Sequence, residues 1–159
     1  MQERSHAVRP LHHREVAVST ALGEEATDSA DVPALQPDVS VASYEALDIR
    51  VGRIVKAETV PDPDHGNKPS RKYLSLVVAL GNEFRSIISG VRPVFDVEEA
   101  IGKSVLVVAN TEEEVILGRP SRGRLLVAAN YSKAPMPRTL RTVLLGGGPV
   151  PPGSQVTGL

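Results

Sequence analysis

Two short stretches concentrate the chemistry of this chain. Lys68-Pro69-Ser70-Arg71-Lys72-Tyr73 sets three cations and one aromatic ring within six residues. Gly118-Arg119-Pro120-Ser121-Arg122-Gly123-Arg124 sets three arginines within seven. Ammonium and guanidinium groups on a turning backbone suit phosphate, and a neighbouring ring can stack on a base. Taken alone, each stretch reads equally well as a solvated basic loop. Their weight comes from the fold implied by the rest of the chain, which puts both on one face.

Catalytic groupings are missing. The histidines are His6, His12, His13 and His65, and no HExxH motif contains any of them. A Ser–His–Asp arrangement would have to recruit His65 from PDPDHGNKPSRK, a segment too flexible in composition to hold a base in register. Asp62 and Asp64 beside His65 read as solvated loop charges, and His12-His13 lacks a third ligand. Gly146-Gly147-Gly148 runs into Pro149-Val150-Pro151-Pro152 rather than a Lys-Ser/Thr and a helix, so it is a loop and no phosphate cradle. With no cysteine there is no disulfide scaffold, thiolate nucleophile or Cys-ligated metal. The chain reads as a binding protein without metal or cofactor, not as an enzyme.

The elements that must position these residues are short strands. Residues 1–38 are acidic, small and proline-spaced, and read as a disordered leader with room for one short helix near 16–22. The folded domain is expected over 39–159. Ser43 is expected to cap a helical turn leading into Asp48. Strand patterns follow at 49–60, 73–80, 84–89, 103–110, 125–129 and 140–145. Leu74, Leu76, Val78 and Leu80 alternate onto one face, whereas residues 104–109 are apolar on both, as in a central strand. Gly81-Asn82 marks a hairpin. A short helix over 96–101 stops at Gly102.

In DIRVGRIVKAE, from Asp48 to Glu58, the apolar parity slips at Gly52. That predicts a bulge there, the alternative being a glycine packed beneath a neighbouring side chain. Arg50 is expected either to pair with Asp48 or a neighbouring strand, or to touch RNA. Arg53 and Lys56 are expected to face solvent. Together these patterns describe an all-β fold: a five-stranded Greek-key barrel of the oligonucleotide/oligosaccharide-binding (OB) type. It has a short helix between strands three and four and extra terminal elements. In such a barrel the loop after strand one and the loop before strand five border one ligand face, where the two basic stretches would lie.

Composition bounds the partners. At 159 residues and 41% apolar the chain supports one core, and no apolar run approaches a membrane span. The net charge of −1 hides a split: residues 1–43 carry three Lys/Arg against seven Asp/Glu, and the remainder fifteen against twelve. A mildly basic domain is compatible with nucleic acid. The start has no apolar secretory segment, and a cytoplasmic location is expected. The aromatics are few (Tyr44, Tyr73, Phe84, Phe95 and Tyr131), which favours folded RNA read by shape and backbone charge over a stacked single strand.

DIRVGRIVKAE, RSIISGV, VAN, GRPSRGRLLVAAN and VPPGSQV, in that order, resemble the tRNA-binding domain family. That family includes free-standing tRNA-binding proteins, the C-terminal appendix of methionyl-tRNA synthetases, the endothelial-monocyte-activating polypeptide domain and CsaA-type chaperones. The resemblance implies a non-catalytic OB-fold that binds tRNA, as a homodimer joined through its terminal elements. It places the family's Ser-Gly on Ser89-Gly90 and its Ser-x-Gly-Met on Ser121-Arg122-Gly123-Arg124. The expected RNA-binding set is Arg53, Lys68, Arg71, Lys72, Ser89, Arg119, Ser121, Arg122 and Arg124. Two features depart from the family: Arg124 replaces the methionine, and Glu112-Glu113-Glu114 stands where a basic run is usual. The triplet is expected to cap or decorate a turn after strand four. Lys68-Pro69 resembles the chaperone branch, so an unfolded polypeptide is the alternative ligand. A barrel kept only for protein interaction or dimerisation is a further alternative.

Overall fold

The computed structural model describes residues 34–130, 139–142 and 149–158. The helix expected near 16–22, Tyr131 and the end of the last expected strand lie outside these residues.

Apolar alternation makes β2 (Lys68–Ala79) the spine of the core, with Leu74, Leu76 and Val78 fully buried. β1 (Ile49–Asp62) runs antiparallel beside it from Arg53↔Ala79 to Asp62↔Lys68. β3 (Phe84–Ser89) follows β2 through Gly81-Asn82, where the Leu80 N–H donates to the Glu83 carbonyl at 2.7 Å. Gly81 has φ +77°, and a glycine at the first central position is what one of the two primed hairpin turns requires, hence Gly-Asn and not Asn-Gly.

β4 (Ser104–Ile116) pairs with the other half of β1, from Ile49↔Val108 to Arg53↔Ser104, and β5 (Arg119–Leu125) pairs with β4. The sheet order is β3-β2-β1-β4-β5, and Arg53 is the one residue of β1 paired on both sides. Closure comes from Ser121, whose buried hydroxyl accepts the Ile88 N–H at 3.0 Å and ties β5 to β3. The helix α2 (Val97–Ala100) sits between β3 and β4 and buries Ala100 in the core. This is the five-stranded OB barrel, with its helix in the expected place.

The terminal elements complete β1. Its first half lacks β2 as a neighbour, and residues 153–156 stand in for the missing strand. Gly153 N–H donates to Val51 O (2.7 Å), Val51 N–H to Ser154 O (2.9 Å) and Val156 N–H to Ile49 O (2.8 Å). The short helix α1 (Val41–Glu45) is capped by Ser40, which accepts from the Ser43 N–H, so Ser43 is an interior residue and not the cap. Asn110 fastens its exit, donating to Ala46 O and accepting from the Asp48 N–H. β6 (Val127–Asn130) and β7 (Thr139–Thr142) form a separate two-stranded sheet.

Four expectations need correction. Gly52 is not a bulge: it pairs in register with Val105, and the β1 register shifts fall between Ile54 and Lys56 and between Thr59 and Pro61. The apparent slip arises because Val51, on the opposite face, is buried beside residues 153–156. The fifth strand is Arg119–Leu125, not 125–129, and β2 begins at Lys68, so both expected basic loops are largely strand. Glu112, Glu113 and Glu114 belong to β4 rather than to a turn after it. The turn is Leu117-Gly118, with φ +49° and +74°, the pair of positive values of a type I′ hairpin.

Gly52 is required by packing. A Cβ there would lie 2.4 Å from Val78 Cγ1 and 3.1 Å from Leu80 Cδ2. Val78 is β-branched and cannot swing its methyl away. Gly52→Ala is expected to lower stability by about 1–3 kcal/mol, read as a reduced urea midpoint; an unchanged midpoint would show that the core gives way freely.

Candidate nucleic-acid interface

Two wide bulges shape the surface that carries the basic residues. Thr59 faces Leu74 and Pro61 faces Pro69, so residues 70–73 of β2 stand opposite Val60 alone. Ser70 holds this bulge: it is buried, and its hydroxyl accepts the N–H groups of Lys72 (3.2 Å) and Tyr73 (3.1 Å). Arg71 and Lys72 therefore leave the sheet from a fixed backbone, and the Lys72 ammonium rests 4.9 Å from the centroid of the Tyr73 ring.

The second bulge lies in β4. Val108 faces Arg124 and Glu113 faces Arg122, so residues 109–112 stand opposite Gly123 alone. Gly123 has φ +104°, and a Cβ there would come within 3.3 Å of Ile87, Val107 and the Val108 carbonyl. Its N–H is taken by the Thr111 hydroxyl at 3.1 Å. The strand can turn this corner because the residue is glycine.

Between the bulges lie two adjoining clefts that share Tyr73. The larger, about 750 Å³, is lined by Lys68, Arg71, Lys72 and Tyr73 on β2 and by Asp62 and His65. The smaller, about 310 Å³, runs from Tyr73 across Ser89 and Gly90 to Glu114, Ile116 and Arg124 on the β4–β5 hairpin. Lys68, Arg71 and Lys72 make no ion pair within 4.0 Å among the described residues, so the larger cleft offers three uncommitted cations.

The hairpin arginines are spent differently. Arg124 Nη2 donates to Glu114 Oε2 at 2.8 Å, so the two departures from the family pattern are one ion pair. Arg122 stands across from Glu113, and it faces a separate cleft with Arg50, Glu83 and Arg85. Arg119 lies at the hairpin end, near enough to Glu58 to act on its titration. The hydrogen bond from Lys56, then the charge of Lys56 and more weakly that of Arg119, hold the Glu58 carboxyl below its ordinary range.

Of the expected set, the structure gathers Lys68, Arg71, Lys72, Ser89 and Arg124 around the two clefts. Ser121 stands behind this surface as the barrel's closing hydrogen bond. Arg53 is exposed but lines neither cleft, and Arg119 and Arg122 point elsewhere. Arg50 is committed to the fold: it pairs with Asp48 and donates to the Gly153 carbonyl at 3.1 Å. The hydrogen bond and charge of Asp48 keep its guanidinium still more firmly protonated. Sequence reasoning noted Tyr73 without assigning it to the site, and it read Glu114 as part of an acidic triplet at a turn, in place of the family's basic run. The bulge held by Ser70 brings Tyr73 to the cleft, and the register of β4 against β5 brings Glu114.

Residues 49–154 match the family model described as "Putative tRNA binding domain". The chain belongs to this tRNA-binding domain family. The methionine–tRNA ligase of Archaeoglobus fulgidus is 38% identical over 97 residues, which are 61% of this chain and 14% of the ligase. That of Methanoculleus marisnigri is 34% identical over 142 residues, 88% of this chain and 19% of the ligase. The chain thus spans less than a fifth of the length of these ligases, and the domain it matches is a binding domain, not a catalytic one. Among solved structures, the MetRS-related protein of Pyrococcus horikoshii superposes with a TM-score of 0.59 at 27% identity, covering 77% of this chain and all of that one. The chaperone CsaA of Bacillus anthracis gives 0.58 at 17% identity, covering 76% of this chain and all of CsaA, a likeness of fold alone. Among the described residues no helix is long and apolar enough to cross a membrane.

The closing bond of this tRNA-binding domain has a measurable cost. Ser121→Ala strands the buried Ile88 N–H and is expected to destabilise by about 1–3 kcal/mol. Urea unfolding would show a lower midpoint at unchanged slope; wild-type stability would mean that packing of β5 on β3 suffices without the bond.

Proposed function

We infer that this chain binds tRNA, non-catalytically, through the two clefts between the β2 bulge and the β4–β5 hairpin. The folded unit 39–159 carries the activity, and the setting is cytoplasmic. The observation that carries the reading is the row Lys68, Arg71 and Lys72, unpaired among the described residues and held by Ser70 beside Tyr73, in a member of a tRNA-binding family. Cations fixed on one cleft can follow a phosphate backbone whose shape is already set by RNA folding. The acidic triplet opposes this less than its charge implies, since Arg124 neutralises Glu114 and Arg122 stands across from Glu113.

Fluorescence anisotropy with bulk tRNA at low and physiological salt tests the reading. Binding is expected to weaken linearly on a logarithmic salt scale. Replacing Lys68, Arg71 and Lys72 together by alanine should cost about tenfold or more in affinity and flatten the salt slope by about two. Capture of unfolded polypeptide with little salt dependence, and no tRNA binding, would move the protein to the chaperone reading.

The same reading includes a homodimer. Leu35, Val39, Val41, Tyr44 and Leu47 are exposed around α1, which buries none of its own residues, and the Tyr44 hydroxyl lies against Gly158. A second copy laying its own α1 and tail on this patch would cover it. Light scattering is expected to give twice the chain mass, and Val41→Asp with Tyr44→Asp to give the single-chain mass; a monomeric wild type removes the dimer from the model.

A further inference from the structure

The smaller cleft holds a combination that backbone binding does not use. Phosphate contact needs cations, yet the hairpin cation that lines this cleft, Arg124, is paired with a carboxylate, Glu114, that lines it too, together with Tyr73, Ser89 and Gly90. Arg124 fixes that carboxylate through Oε2. The Glu114 side chain is 38% exposed, so Oε1 and the remaining lone pairs are open to a ligand. Tyr73, Ile88, Ile116 and Leu125 supply the apolar and aromatic part of the lining, and Gly123 completes it. A volume of about 310 Å³ is ample for one planar base and too small for a helix.

An ionised carboxylate only accepts hydrogen bonds, and its two oxygens accept best from two parallel donors. Of the four bases, only guanine offers two adjacent donors on its Watson–Crick edge, N1–H and the N2 amine. Adenine and cytosine present one donor with an acceptor beside it, and uracil one donor between two acceptors. Each would set a lone pair against a carboxylate oxygen. Resting on the RNA reading above, we propose that the Tyr73–Glu114 cleft is a base-selective pocket that takes one unpaired guanine. Glu114 accepts from N1–H and N2–H, the Tyr73 ring provides an aromatic wall, and Arg124 is the positioning residue that holds Glu114 in place. Lys72, beside Tyr73, is near enough to the base to meet the phosphate of the same nucleotide.

The test uses nine-nucleotide RNAs, uridine throughout except for a central guanosine, inosine, adenosine, cytidine or uridine, in anisotropy at low salt with the full chain. Bulk tRNA is measured alongside. Guanosine is expected to bind about tenfold more tightly than adenosine, cytidine or uridine, as a bidentate pair allows. Inosine, lacking the N2 amine, should lose most of that advantage. Glu114→Gln should abolish the preference while unfolding normally, and Glu112→Gln, outside the cleft, should keep it. Equal binding of all five RNAs, or no measurable binding of any, overturns the proposal, as does a guanosine preference that survives in Glu114→Gln or extends to inosine. If tRNA binds while the short RNAs are not distinguished, only the base assignment falls. If tRNA fails to bind as well, the RNA reading falls with it.

Discussion

A barrel of five strands depends on one strand serving two neighbours that point in different directions, and here that strand is β1. It leaves β4 and joins β2 at Arg53, the residue paired to both. The inward neighbour of that pivot, Gly52, has no side chain because Val78, Leu80 and Val107 already fill the space. The remaining architecture follows from this close approach. β1 with β2, and β4 with β5, continue as paired hairpin arms, and each pair takes up a mismatch in a four-residue bulge. The first bulge carries Arg71, Lys72 and Tyr73, and the β4–β5 arm beyond the second carries Glu114. The binding surface is therefore a by-product of closing the barrel, with Ser70 and Gly123 converting strain-prone segments into fixed mounts.

The electrostatics of the surface are set by register more than by net charge. A chain of formal charge −1 would attract polyanions poorly if its charges were mixed at random. Instead Glu113 of β4 stands across from Arg122 and Glu114 is ion-paired with Arg124, whereas Lys68, Arg71 and Lys72 share their cleft with the acid Asp62, which is bonded to His65. Cross-strand pairing therefore makes the hairpin locally neutral and leaves the β2 cleft positive. This division of labour between a neutral, shape-bearing wall and a charged wall suits recognition of a folded RNA better than uniform basicity would.

Much of the fold was legible because burial writes a period into the sequence. Leu74, Leu76 and Val78 announced β2, and the doubly apolar run 105–109 announced a strand buried on both faces. The hairpin arms were not legible. Residues 112–120 are exposed or half-buried, so the end of β4 loses its alternation. β5 does alternate, but its buried positions are Ser121 and Gly123, which carry no apolar signal, so residues 119–124 read as a loop. Gly52 was misread for a related reason: Val51 is buried by a partner about one hundred residues away, and no local pattern records that. At the site, the cation-rich stretch was visible as composition. The meeting of Glu114 with Arg124 depends on how many residues a bulge absorbs, which spacing in the sequence cannot reveal.

The residues that flank the first half of β1 come at the far end of the domain, Arg50 reaching Gly153 across 103 positions. On the ribosome, this seam is completed only after all five barrel strands have been made. A nascent chain can pair β1 with β2 early, but its opening three residues keep a bare edge until residues 153–156 emerge. Contacts so distant in sequence are slow to form, and a bare strand edge invites another chain to add to it. The domain thus has a vulnerable interval during its own synthesis, which ends when residues 153–156 arrive.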